Sequence, residues 1–202
     1  MYEELTPGNG GEAPKKEQFD IAKELYEWAQ SLVSAIVGIV LVFVFIASVF
    51  SVRQYSMQDT LQEQDMLLIS NLFYTPKRGD IVMFSKYGVT ASYNPDTGNY
   101  SPFVKRVIGL PGDEISYTDG VLRINGEELR EDYIREQDWR WSSFSEDSQG
   151  TLIVPEGQYF LMGDNRNASR DSRSSDIGFV DRRCIIGRVL IRLLPLNRIG
   201  TV

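Results

Sequence analysis

FVKRVIGLPGDEISYTDGVLRINGEEL, residues 103–129, carries three turn signals between short apolar runs. Asp119-Gly120 and Asn125-Gly126 tolerate the positive φ angles of type I′ hairpins, and Pro111-Gly112 suits the centre of a type II turn. Runs this short, bounded by turn residues, read as strands, so the stretch predicts a β meander. The same rhythm extends outward through "DMLLIS" and "GDIVMFSKY" on one side and "TLIVP", "QYFLMGD" and "CIIGRVLIRLLP" on the other. The fold class expected for residues 53–202 is mainly β, an antiparallel coiled sheet with barrel-like closure. Gly88–Ser101 and Arg130–Gly150 break the rhythm and read as excursions from the sheet. Trp139, Trp141 and Phe144 in the second either pack that loop onto the core or touch a membrane surface, with packing favoured.

Upstream, no charged residue occurs from Trp28 to Val52. A run of this length reaches the roughly 20 residues that cross a hydrocarbon core, and it is too long for a signal-peptide core or a buried helix. Residues 28–52 are therefore expected to form one transmembrane helix, preceded by a polar tail and helical lead-in over residues 1–27. Lys15, Lys16 and Lys23 precede the run, and Arg53 alone follows it closely, which favours the N-terminus inside and the β domain outside the cytoplasm.

Composition removes several classes of chemistry. The 202 residues include no histidine, which excludes a Ser-His-Asp triad, a Cys-His pair and a His-ligated metal. Cys184 is the only cysteine, so no intrachain disulfide can form, and its apolar setting reads as a small buried thiol. The net charge of −7 without a basic block argues against a nucleic-acid partner. Neither a metal nor an organic cofactor is called for.

Without histidine, a serine nucleophile needs another base, and a lysine serves if its surroundings keep it neutral. Strand alternation in "SPFVKRVIGLPGDEI" puts Lys105 on one face with Phe103 and Val107, and Arg106 on the other with Val104 and Ile108. Desolvated among apolar neighbours, the amine would titrate well below its free value; on an edge strand it would instead be a solvated charge. "RQYSMQDTL" sets Ser56 four residues beyond the charge-free run, where a reactive group would meet membrane-inserted substrates. "GDNRNASRDSR", residues 163–173, concentrates short polar side chains directly after a strand, a composition suited to a buried hydrogen-bond network.

Together, "YSMQDTL", "YTPKRGDIVMF", "FVKRVIGLPGD" and "GDNRNASRDSR" resemble, in order, the motifs of the type I signal peptidases, membrane-anchored serine proteases that remove signal peptides from exported proteins. The resemblance runs from Arg53 to about Pro195. It implies Ser56 as nucleophile, Lys105 as general base and Ser169 as the hydroxyl that orients the lysine amine. It further implies an Asp171–Arg173 ion pair, with Gly163, Asp164, Asn165 and Arg166 shaping the site. Met57 and Phe103 become candidate walls of a pocket for small substrate side chains. The implied partners are signal-peptide-bearing preproteins, the lipid bilayer and the protein-export machinery.

Two positions depart from the family pattern. Gln54 stands where many members place a serine that helps form the oxyanion hole, and its amide is a substitute donor. Asp59 stands where proline is usual, and it is expected to point away from the dyad or to cap the following turn. These departures define the alternative reading, a catalytically impaired, membrane-tethered protein of the same fold that binds extended peptides.

Overall fold

The computed structural model describes residues 21–45, 47–89, 93–94, 98–134, 139, 141 and 151–202, and the chain divides into two units, residues 1–41 and 42–202. The first is built on helix α1, Ile21–Phe45. Its 22-residue segment Ile21–Val42 has no buried share. At 1.5 Å per residue that segment is about 33 Å long, enough for a hydrocarbon core of about 30 Å.

The charge-free run expected to be helical from 28 to 52 divides in two. The helix ends at Phe45, and Ala47–Ser51 forms strand β1. Hydropathy cannot separate the two, because both are apolar; what makes β1 a strand is a full antiparallel partner in β2, Met66–Ser70.

The remaining strands are β3 Ile81–Phe84, β4 Tyr93–Asn94, β5 Asn99–Tyr100, β6 Phe103–Gly109, β7 Glu114–Thr118, β8 Val121–Ile124, β9 Glu127–Glu128, β10 Thr151–Ile153, β11 Gln158–Met162, β12 Val180–Asp181 and β13 Ile185–Leu194. The main sheet has the order β1-β2-β13-β3-β6-β11-β12, with every neighbouring pair antiparallel. Register shifts between Val189 and Ile191, and between Phe160 and Leu161, mark bulges that bend the sheet toward a half-barrel.

The hairpin turns fall where the dipeptides put them. Asp119 and Gly120 have φ of 56° and 81°, and Asn125 and Gly126 have 54° and 81°. The meander expected over 103–129 is nevertheless broken at its first turn. β6 lies in the main sheet, whereas β7, β8 and β9 join β10 in a second sheet of order β10-β7-β8-β9. Pro111-Gly112 thus passes the chain between sheets, with Gly112 at φ 83° and its N–H bonded to Val154 O at 2.8 Å.

One cross-strand row matters for the site. Ala47 pairs with Ser70, Ser70 with Arg188, Arg188 with Val82, and Val82 with Lys105. Four inter-strand steps of about 4.8 Å make this row about 19 Å long. Lys105 therefore sits at the same level of the sheet as Ala47, the first strand residue after α1. Around it all seven positions of β6 are buried, with Phe103 and Val107 in one apolar cluster, Val104 in a second and Ile108 in a third.

Candidate active site

Ser56 lies in the loop that joins β1 to β2. Val52 prolongs the ladder, donating to Asp65 O at 2.9 Å and accepting from Gln64 N–H at 2.8 Å, before the chain turns. Met57 and Leu61, 1% and 0% exposed, then plug into the same apolar cluster as Val104. From the other side the Asn165 backbone N–H donates to Ser56 O at 3.0 Å, and Asn165 Nδ2 donates to Tyr55 O at 3.3 Å. Apolar plugs and backbone bonds together fix the position of this loop serine.

Lys105 comes to this serine from the middle of β6. Its Nζ is 2.6 Å from Ser56 Oγ and 3.0 Å from Val104 O, and the side chain is fully buried, with the amine 5.4 Å from the centre of the Phe103 ring. Among the described residues no carboxylate is hydrogen-bonded to it. Burial pulls its pKa down to about 8; the Asp171 and Asp164 charges push it back up only in part, and Arg173 pushes it down. An amine whose pKa is lowered toward neutrality, at hydrogen-bond distance from a hydroxyl, is the arrangement a lysine base requires.

The segment 163–173 surrounds the pair with charges that are almost all neutralised. Asp164, 1% exposed, accepts from Arg106 Nε at 2.8 Å and Nη2 at 2.6 Å, and from Thr60 Oγ1 at 2.6 Å. Asp171 accepts from Gly163 N–H at 3.0 Å and from Arg173 Nε and Nη2, both at 2.8 Å. Burial works against ionised Asp171, but Arg173 and the Gly163 N–H outweigh it and hold the carboxyl below the usual range. Gly163 leaves no room for a side chain, since a Cβ would lie 2.2 Å from Ser169 Oγ and 2.4 Å from Ser56 O. The loop backbone thereby reaches the backbone of Ser56.

Ser169 Oγ is buried and makes no well-formed hydrogen bond among the described residues, Lys105 included. It lies close enough to Asp171 to help keep that carboxyl ionised. Met57 and Gln54 line an apolar cleft together with Phe50, Val52, Ser56, Pro102 and Val104. Phe103 does not line it; the ring is 2% exposed and stacks on Phe84 at 5.3 Å in the core. Asp59 is exposed, and the carboxylates that act on Lys105 are Asp171 and Asp164.

Several site-forming residues carry no signal that pattern reading detects. Arg166 donates to Glu131 through Nη1 at 2.7 Å and also through Nη2, while its Nε holds Gly163 O at 3.0 Å. Trp139, 4% exposed, has the Arg166 and Arg173 guanidinium groups over its ring at 4.8 and 5.4 Å. Tyr133 faces Arg106 at 4.0 Å. Glu131, Tyr133 and Trp139 therefore back the polar loop, and Trp139 and Trp141 pack into the core cluster of Phe160; Phe144 lies outside the described residues. A run of Glu, Tyr and Trp in a loop looks the same from sequence whether it packs inward or outward. Among the described residues no group of three or more His, Cys, Asp or Glu is gathered as a metal site.

The family model "Signal peptidase, peptidase S26" matches residues 25–194. A signal peptidase I of Leptolyngbya laminosa is 34% identical over 199 residues, covering 96% of this chain and 92% of that one. The chain belongs to the signal peptidase family. A signal peptidase I of Bacillus licheniformis is also 34% identical, over 87% of this chain and 91% of its own length. The crystal structure of a signal peptidase I from Enterococcus faecalis, 34% identical, aligns with a TM-score of 0.42 over 57% of this chain and 97% of that chain. Like others of the signal peptidase family the chain is a membrane-bound hydrolase, single-pass, with its N-terminus cytoplasmic and its β domain on the extracytoplasmic side.

Proposed function

We propose that the protein is a type I signal peptidase that cleaves signal peptides from exported preproteins with a Ser56–Lys105 dyad. The observation that carries this reading is the 2.6 Å contact between Ser56 Oγ and the fully buried Lys105 amine. In the mechanism the Ser56 hydroxyl donates to the neutral amine. As Oγ attacks the scissile carbonyl, its proton passes to Lys105, and the ammonium then protonates the leaving amine. A water then gives its proton to the neutral Lys105 as its oxygen attacks the acyl carbon, and the ammonium returns a proton to Ser56 Oγ as the ester C–O bond breaks, releasing the carboxylic acid and restoring the dyad.

The tetrahedral oxyanion needs donors in place before charge develops. The Ser56 N–H has no acceptor among the described residues and is the first such donor; the Gln54 side-chain amide, which lines the same cleft, is the second. Ser169 is assigned to orient the lysine amine, its buried hydroxyl lying beside Asp171, whose charge also acts on Lys105. β1 is the first strand of the main sheet, so its open edge suits an extended substrate added as a further strand, with small side chains entering the cleft beside Met57. Ala47, in the same sheet row as Lys105, follows the last residue of α1 by two positions, a short tether that favours substrates emerging from the bilayer or from the export machinery.

The test is cleavage of a preprotein whose signal ends in Ala-x-Ala by full-length protein in detergent, set beside Ser56→Ala and Lys105→Ala. Cleavage after the final Ala by the wild type, with both variants inert, supports the reading. A wild type inert on several such substrates, yet still binding them, favours the tethered peptide-binding alternative.

A further inference from the structure

The loop that carries Ser56 is held from a second direction, by β13 and the segment that follows it. At the far end of the loop lies Asp65, 1% exposed, whose carboxylate faces Arg192 Nη1 at 3.4 Å and Arg198 Nη1 at 3.5 Å. Asp65 also accepts from the Gln62 N–H at 2.9 Å, and its carbonyl accepts from the Val52 N–H at 2.9 Å. A buried ion pair stabilises little by itself, so what else these arginines hold is the informative part.

Arg192 reaches past Asp65 to the backbone of the loop. Its Nη1 donates to Thr60 O at 3.0 Å and its Nε to Arg198 O at 2.6 Å. Its main chain is fixed in turn, exchanging two hydrogen bonds with Gly200 at 2.8 and 3.1 Å, while Val202 packs against the apolar cluster of Met57 and Leu61. The planar fork of the guanidinium serves Thr60 O, Asp65 and Arg198 O together, which a single ammonium does not span.

Thr60 has a second tie, through its side chain. The hydroxyl donates to Asp164 at 2.6 Å, and Asp164 takes two donors of Arg106. The next residue, Asn165, donates its N–H to Ser56 O at 3.0 Å. Thr60 therefore links Arg192 to the polar segment that abuts the dyad. A shift of this loop by a fraction of an ångström is enough to disturb the 2.6 Å contact between Ser56 Oγ and Lys105 Nζ.

We propose that Arg192 is a positioning residue: by holding the Thr60 carbonyl it seats the Thr60 hydroxyl on Asp164 and sets Ser56 Oγ against Lys105. The role rests on the Ser56–Lys105 dyad proposed above. Arg198 does not share it, because among the described residues its side chain pairs with Asp65 and makes no hydrogen bond to Thr60.

The test compares full-length wild type in detergent with Arg192→Lys, Arg198→Gln, Thr60→Val and the Arg192→Lys, Thr60→Val double variant. It reads kcat and KM on an Ala-x-Ala preprotein, and amide hydrogen exchange over residues 57–65. Arg192→Lys is expected to lose kcat about tenfold with KM within about twofold of wild type. Exchange at Leu61 and Gln64, whose N–H groups bond Met57 O and Val52 O, should be severalfold faster in that variant. Arg198→Gln should lower the melting temperature and keep kcat within about twofold. The double variant should be no slower than the slower single one, because both changes break one chain of contacts.

Additive losses in the double variant overturn the proposal, and so do equal losses of kcat in Arg192→Lys and Arg198→Gln or a wild-type kcat in Arg192→Lys. Exchange is read without substrate, which separates the two readings. A wild type that cleaves no preprotein counts against the dyad, whereas unchanged exchange over residues 57–65 in Arg192→Lys overturns the seating of the loop by Arg192.

Discussion

Lys105 and Arg106 are consecutive residues on one buried strand, and the protein treats their charges in opposite ways. On one face the Lys105 amine meets a hydroxyl, a backbone carbonyl and an aromatic ring, and burial lowers its pKa to about 8. On the other face burial also acts against the Arg106 charge, but the Asp164 carboxylate takes two of its donors and holds the pKa above its ordinary value. The alternation of a strand makes the contrast possible, because adjacent side chains enter different environments only a few ångströms apart. A buried cation given a carboxylate is structure, and a buried cation denied one is a base.

Exchanging the two chemistries breaks the comparison most severely. Lys105→Arg puts a permanently charged group where a neutral amine is needed, and preprotein cleavage is expected to fall by about 10³-fold or more, measured as kcat/KM. Arg106→Met leaves Asp164 buried without its cation and is expected to cost about 3–5 kcal/mol of unfolding free energy, read by denaturant titration. Lys105→Met should go the other way, stabilising the domain by up to about 3 kcal/mol at neutral pH while abolishing cleavage. The sign follows from the pKa values: the folded value of about 8 lies below the free 10.5, so the cost of burying the lysine is fully present below pH 8 and fades as pH rises toward 10.5. The stabilisation by Lys105→Met should shrink over that same window. Glu131→Gln, which weakens the clasp on Arg166, is expected to cost about 1–2 kcal/mol and to lower kcat more than it raises KM.

Much of this contrast is legible in the amino-acid sequence. The alternation "FVKRV" put the two cations on different faces, and the absence of histidine left lysine as the base that a serine could use. The Asp-Gly and Asn-Gly dipeptides marked real hairpins, since φ preference is local chemistry. Other features depend on distant partners that local pattern does not encode. β1 was hidden inside an apolar run, because only its pairing with Met66–Ser70 distinguishes strand from membrane helix. The turn at Pro111-Gly112 was visible, but its transfer of the chain to a second sheet was not. Glu131 and Trp139 gave no sign of backing Arg166 and Arg173, because that contact is made in three dimensions between a loop and a segment some 30 residues on.

The central claim is that burial, with no hydrogen-bonded carboxylate among the described residues, lowers the Lys105 pKa to about 8 and so makes the amine a base. Its most direct test is a titration of the Lys105 Nζ by ¹⁵N NMR on the full-length protein in detergent micelles, with the resonance assigned by its loss in Lys105→Met. The account predicts a midpoint near pH 8, matched by an acid limb at the same pH in kcat/KM. A midpoint near 10.5, in a protein that still cleaves preproteins at neutral pH, would contradict it.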